Sequence, residues 1–200
     1  MKASRLCLAA ASALLLSQCA SSIRTDEVVE VRRAIIIQPV EASSSPLYVW
    51  HGGGSVEGPT SINIDLSQQK AYIFKGGEKV GWTYVATGRS GYPTPTGTFR
   101  ITEKVVDKRS NRYGTIVNRS GGVVRGGAIA GVHRVPPGGK FVGAKMPYWM
   151  RITGNGIGMH AGAIPNPGSP ASHGCIRLPY TMARTIYQHT DVGTRVTIMQ

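Results

Sequence analysis

The run Ser61-Ile62-Asn63-Ile64-Asp65-Leu66 alternates polar and apolar side chains with a period of two, the pattern of a strand with one wet and one buried face. Ala71-Tyr72-Ile73-Phe74 repeats it, and the turn Lys75-Gly76-Gly77-Glu78 leads into a further extended stretch, Val80 to Thr87. Strands this short, joined this tightly, pair antiparallel with their neighbours. Gly91-Tyr92-Pro93-Thr94-Pro95-Thr96-Gly97-Thr98-Phe99 reads as a rigid turn running into another strand, because proline fixes backbone angles and glycine relaxes them. From Glu103 to Lys145 the chain is glycine-rich and basic with weak periodicity, and a long irregular segment is expected there. Tyr148 to Ile152 and Gly156 to His160 read as the next strands. Tyr180 to Gln188, just after Pro179, reads as a helix, and Asp191-Val192-Gly193 turns into a last strand, Thr194 to Met199. The expected fold class is mainly β with one short helix near the carboxyl end.

A chain of 200 residues allows one ordinary domain. Its first 18 residues read as an export signal: Lys2 and Arg5 form a basic start, and Leu6 to Ser17 an apolar stretch too short to span a bilayer. Two readings of the cleavage site stand side by side. Leu16-Ser17-Gln18-Cys19 looks like a lipoprotein site that would make Cys19 the lipidated first residue, although Gln18 stands where a small residue is usual. Simple secretion with cleavage among Ala20, Ser21 and Ser22 fits as well. Either way the protein is expected in the periplasm or cell envelope. Residues 19–59 read as a tether, with Ser43-Ser44-Ser45-Pro46 and Gly52-Gly53-Gly54 in it, and Val31 to Val40 is apolar enough for a stray strand. The catalytic body is expected over residues 60–200.

The formal charge is +13, falling to +11 once Lys2 and Arg5 are removed. So basic a protein associates with polyanions. Export argues against nucleic acid and for an anionic cell-wall polymer or membrane surface; a solvated basic face without a partner also fits. Of three cysteines, Cys7 and Cys19 lie in or at the end of the signal, so the body keeps Cys175 alone. A lone thiol in an oxidising compartment has no internal disulfide partner, which turns attention to its chemistry.

Acyl transfer by a thiol needs a nucleophile, a base, an orienter for the base and donors for an oxyanion. Cys175 supplies the first, and His160 and His173 are candidates for the second. Gly174 lets the backbone approach a substrate closely, so the Gly174 and Cys175 amides are the expected oxyanion donors. A thiol pKa depressed by a neighbouring imidazolium is what this chemistry asks for.

Gly158-Met159-His160-Ala161-Gly162 followed by Pro170-Ala171-Ser172-His173-Gly174-Cys175-Ile176-Arg177-Leu178-Pro179 resembles the YkuD-type L,D-transpeptidase catalytic domain. The resemblance takes in Asp65-Leu66-Ser67-Gln68-Gln69, Thr87-Gly88 and the Pro93 to Gly97 turn, and covers about Ser61 to Ile198. It implies a mixed, sandwich-like β fold with Cys175 as nucleophile, His160 as proton donor and acceptor, His173 and Gly174 at the oxyanion site, and Ser172 and Arg177 near bound substrate. Tyr148 is a further candidate for the substrate wall. Many members carry Gly-Thr or Ser-Gly after the first histidine; if a hydroxyl there helps orient the base, Ala161 does not supply it and a main-chain carbonyl must do so. The implied substrate is a peptidoglycan stem peptide, the implied process cell-wall crosslinking or remodelling, and no cofactor is implied.

Competing readings have identifiable weaknesses. Zinc held by His160, His173, Cys175 and His133 would need spacing wider than the His173–Cys175 gap, and no carboxylate is paired with them. A γ-D-glutamyl-type wall peptidase places its cysteine before its histidine, the reverse of the order here. A non-catalytic wall-binding lipoprotein would have no use for an intact Ser-His-Gly-Cys run. Water as acceptor would make the enzyme an L,D-carboxypeptidase.

Overall fold

The computed structural model describes residues 46–52 and 54–200. The export signal, Cys7, Cys19, the Val31 to Val40 stretch and most of the span read as a tether lie outside the described residues.

The described chain forms β1 (Tyr48–Trp50), β2 (Thr60–Asp65), β3 (Lys70–Lys75), β4 (Glu78–Tyr84), β5 (Gly97–Arg100), β6 (Glu103–Val117), β7 (Val123–Ile129), β8 (Lys140–Arg151), β9 (Gly158–Ala161), β10 (Ile176–Leu178), α1 (Tyr180–Gln188) and β11 (Arg195–Met199). One sheet has the order β1-β4-β3-β2-β11-β5 and the other β10-β9-β8-β6-β7. Both are mixed: β11 runs parallel to β2, and β10 parallel to β9, among otherwise antiparallel pairs. Among the described residues the fold is mainly β with one short helix, as the sequence indicates.

The alternation in β2 does what a period of two predicts. Ile62 and Ile64 are fully buried while Ser61, Asn63 and Asp65 are half-buried between them. A single core cluster draws Ile62, Ile64 and Ile73 from one sheet, Met150, Met159 and Ile176 from the other, and Met182 and Ile186 from α1. Each such side chain contributes about 1.5–3 kcal/mol on burial. Between β3 and β4, Gly76 (φ 57°) and Gly77 (φ 91°) form a two-residue turn whose positive φ angles match the twist of the flanking strands. Pro179 opens α1 without a side-chain cap, its carbonyl accepting the Ala183 amide at 2.8 Å. At the other end, Lys104 Nζ donates to the Tyr187 carbonyl at 2.7 Å and also to that of Thr190, covering acceptors the helix leaves open.

Two expectations are corrected. The stretch from Glu103 to Lys145 is not irregular: β6, β7 and the start of β8 make a long sheet arm. Much of that arm is exposed, so the buried face that would create a sequence alternation is missing. In addition, Tyr48–Trp50, within the span read as tether, pairs with β4 and forms a sheet edge, so the ordered body begins before Thr60.

Candidate active site

The parallel pairing of β9 and β10 assembles the site. Its register sets Ile176 opposite Met159 and Arg177 opposite His160, which brings Cys175, one residue before β10, beside Gly158. His160 and Cys175 line one cavity of about 270 Å³ together with Ser172, His173 and Arg177. The arm supplies its other wall, through Ser110 and Tyr113 of β6 and Ala144, Lys145 and Met146 of β8. No Asp or Glu lines it.

His160 is 7% exposed, and its Nδ1 lies 2.9 Å from the carbonyl oxygen of Ala161. A carbonyl only accepts, so Nδ1 carries the proton and Nε2 keeps its lone pair. Burial lowers the imidazole pKa to about 4; the Ala161 hydrogen bond opposes that shift and the Arg177 charge adds to it. The orienter is therefore a main-chain carbonyl, that of residue 161 itself. This is the role the missing hydroxyl at Ala161 left to the backbone.

The segment before the thiol is fixed by hydrogen bonds. Thr87 O accepts the amides of Ala171 and Ser172 at 3.0 and 2.9 Å. Ser172 Oγ donates to Cys175 O at 2.5 Å and accepts the Gly174 amide at 3.0 Å. Thr94 Oγ1 accepts from the Gly88 amide at 2.9 Å and donates to Gly174 O at 2.8 Å. Gly174 has φ 107°, a conformation that strains any residue with a Cβ. With its amide engaged by Ser172, Gly174 does not present the free oxyanion donor expected of it.

Burial raises the Cys175 thiol pKa above its ordinary value, against the smaller lowering effects of a Gly158 main-chain hydrogen bond and the Arg177 charge. The expectation of a depressed thiol pKa is thus reversed, burial being the larger cause. His173 stacks on Tyr113 (ring centroids 4.5 Å apart, 25° between planes) and meets Tyr92 edge-on at 4.7 Å. Burial, then Arg89 and Arg177, hold its pKa below the usual histidine value.

Tyr148 does not join this cavity. Its φ of 56° turns it out of the strand pattern, and its ring packs against Tyr180 at 5.3 Å and Tyr187 at 5.7 Å. Trp149 is a core residue whose Nε1 donates to Glu103 at 3.2 Å. His133 lies elsewhere, its Nδ1 accepting the Ile129 amide at 2.9 Å, and among the described residues no three His, Cys, Asp or Glu side chains gather to hold a metal ion. A larger cavity of about 700 Å³ beside the end of α1 contains no thiol. Sequence reading missed Ser110, Tyr113, Lys145 and Met146, all in the arm, where no periodicity marked them.

A family model described as the L,D-transpeptidase catalytic domain matches residues 59–198. Solved structures with a similar fold include an L,D-transpeptidase from Stackebrandtia nassauensis, at 22% identity and TM-score 0.51 over 72% of this chain and 57% of that one. Another, from Mycobacterium smegmatis, has 20% identity and TM-score 0.54 over 71% and 59%. A cysteine-to-serine mutant from Enterococcus faecium has 24% identity and TM-score 0.53 over 72% and 50%. The chain thus spans between half and three-fifths of the length of these proteins, and the likeness to them is one of fold. None of the curated proteins compared with it matches. With a family match across most of the chain and the same fold in solved members, this protein belongs to the L,D-transpeptidase catalytic domain family.

Proposed function

We propose that this protein is a cysteine-dependent L,D-transpeptidase acting on peptidoglycan stem peptides, exported to the cell envelope and working in wall crosslinking or remodelling. The observation that carries the reading is one cavity shared by Cys175 and His160, with His160 held through Nδ1 so that Nε2 is the available base. The reaction follows from that pairing. Cys175 Sγ attacks the carbonyl carbon of the L-centre before the terminal D-residue while His160 Nε2 takes the thiol proton. The carbon–nitrogen bond to the D-residue then breaks, its nitrogen receives that proton, and a thioester remains. An acceptor amine attacks the thioester and gives its proton to His160, the carbon–sulfur bond breaks, and His160 returns that proton to sulfur to restore the thiol.

A raised thiol pKa and a lowered imidazole pKa favour proton transfer concerted with attack over a preformed ion pair. The oxyanion is assigned to the Cys175 amide, because that of Gly174 already donates to Ser172. Lys145 and Arg177, in a cavity without carboxylates, suit an acidic stem. If Cys19 is processed as a lipoprotein residue, the body is held at a membrane by its tether.

Mass spectrometry of muropeptides incubated with wild type and Cys175→Ala tests the reading. Wild type is expected to give a crosslinked mass, or an exchanged D-residue when a free D-amino acid is added, and the variant neither. Products of hydrolysis alone would reassign the protein as a carboxypeptidase, and identical products from both proteins would refute the thiol mechanism.

A further inference from the structure

Between Asp107 and Asp191 the chain has no Asp or Glu at all, against eleven Lys and Arg. Strand β7 is the free edge of the smaller sheet, and residues 123–127 are all exposed. Val123 is 71% and Val124 55% exposed; neighbours in a strand point to opposite faces, so neither face of this edge is covered. The loop that follows exposes Val132 at 70% and Val135 at 37%. Around these valines stand exposed Arg119, Arg125, Arg134 and Lys140, none in an ion pair among the described residues. Lys140 and Val123 flank Val117 from its two neighbouring strands, which puts charge and apolar surface at the same end of the arm.

An exposed edge is ordinarily a template for another strand, but this one is poorly suited to that. Gly127 has φ 62°, register breaks interrupt the β6–β7 ladder, and Arg125 sits mid-strand. A wall polymer would satisfy the cations and leave the valines in water. A bilayer with anionic headgroups takes both, the cations at the headgroups and the valines at the acyl boundary. We propose that the β7 edge and the loop over residues 130–140 form a docking surface for an anionic phospholipid bilayer. In the order β10-β9-β8-β6-β7, strands β8 and β6 lie between this edge and His160 on β9. The proposal is independent of the catalytic reading, because it involves no cavity residue.

Hydrogen exchange of the full chain, read by mass spectrometry, locates the contact whatever the N-terminal segment does. Phosphatidylglycerol-containing vesicles are expected to protect peptides over residues 119–140, while phosphatidylcholine vesicles and purified sacculi are not. The triple variants R119E/R125E/R134E and V123S/V124S/V132S are each expected to lose that protection and to bind the anionic vesicles at least about tenfold more weakly. Their turnover of soluble muropeptides and their thermal unfolding should stay as in wild type. Vesicle binding without protection at 119–140, or equal protection by phosphatidylcholine, overturns the proposal. Protection by sacculi instead would assign the edge to wall polymer.

Discussion

Arg177 acts electrostatically on all three candidate catalytic groups, lowering the pKa of His160, of His173 and of the Cys175 thiol. Its stem lies against Gly162, where an added Cβ would come within 3.0 Å of Arg177 Cγ. A nearby cation disfavours an imidazolium and favours a thiolate. Replacing Arg177 by Met should therefore raise the His160 pKa modestly above about 4, burial still holding it low, and push the thiol pKa higher still. In kcat/KM against pH, the acid limb is expected to move to higher pH in Arg177→Met. Iodoacetamide should label wild-type Cys175 at a rate that keeps climbing above pH 8.5, and the variant more slowly at every pH. A rate plateau near neutrality in wild type would reveal a preformed thiolate–imidazolium pair and contradict the raised thiol pKa. His173, Cys175 and Arg177 were legible as a group with His160 because they fall within five positions at the start of β10, which pairs with the strand of His160, and all four line one cavity. Tyr148 was not: strand alternation cannot be carried through a residue at φ 56°, and its ring goes to α1 instead.

Several turns that look merely structural hold the thiol loop in place. Gln69, itself at φ 51° and 1% exposed, donates to Thr87 Oγ1 at 2.7 Å and accepts the Thr87 amide at 2.9 Å. Thr87 O in turn holds Ala171 and Ser172, and Thr94 joins Gly88 to Gly174. The β2–β3 turn, the Pro93 to Gly97 turn and the segment before Cys175 are thus one hydrogen-bonded unit. Thr94→Val keeps shape but leaves the Gly88 amide and Gly174 carbonyl without this partner in a site where Thr94 is only 6% exposed. It should cost about 1–3 kcal/mol of stability, read as a lower denaturation midpoint. It should also lower kcat more than it raises KM, because the misplaced group is the proposed nucleophile rather than a binding contact. Unchanged kcat at reduced stability would limit Thr94 to a folding role. Strands β2 and β3 and helix α1 were readable from sequence because each has one face in the core. The β6–β7–β8 arm was not, since its far half is wet on most positions and its pairing is set by distant partners rather than by local pattern.

Across the whole molecule, burial of His160 makes stability depend on pH. Native His160 resists protonation until about pH 4, whereas the unfolded chain takes that proton near the ordinary 6.5. Between those values the unfolded state binds more protons, so stability is intact above about pH 6.5 and falls as pH drops toward 4. The loss from this one residue reaches about 3 kcal/mol. Asp65 and Glu103 act in the same direction at lower pH: hydrogen bonds from Ser67 and from Arg151, respectively, hold their carboxyls below the usual range, and that contribution is lost as they protonate. The imidazole window lies above the carboxyl one, and His173, whose pKa burial also lowers, adds to it in the same direction as His160. Thermal unfolding of wild type is therefore expected to drop by roughly 5–10 °C between pH 7 and pH 4.5. His160→Asn keeps an amide donor for the Ala161 carbonyl but has nothing to protonate, so most of that drop should vanish in it while activity is lost. An equal drop in both proteins would move the acid sensitivity away from His160 and leave His173 and the hydrogen-bonded carboxyls of Glu103 and Asp65 as its source.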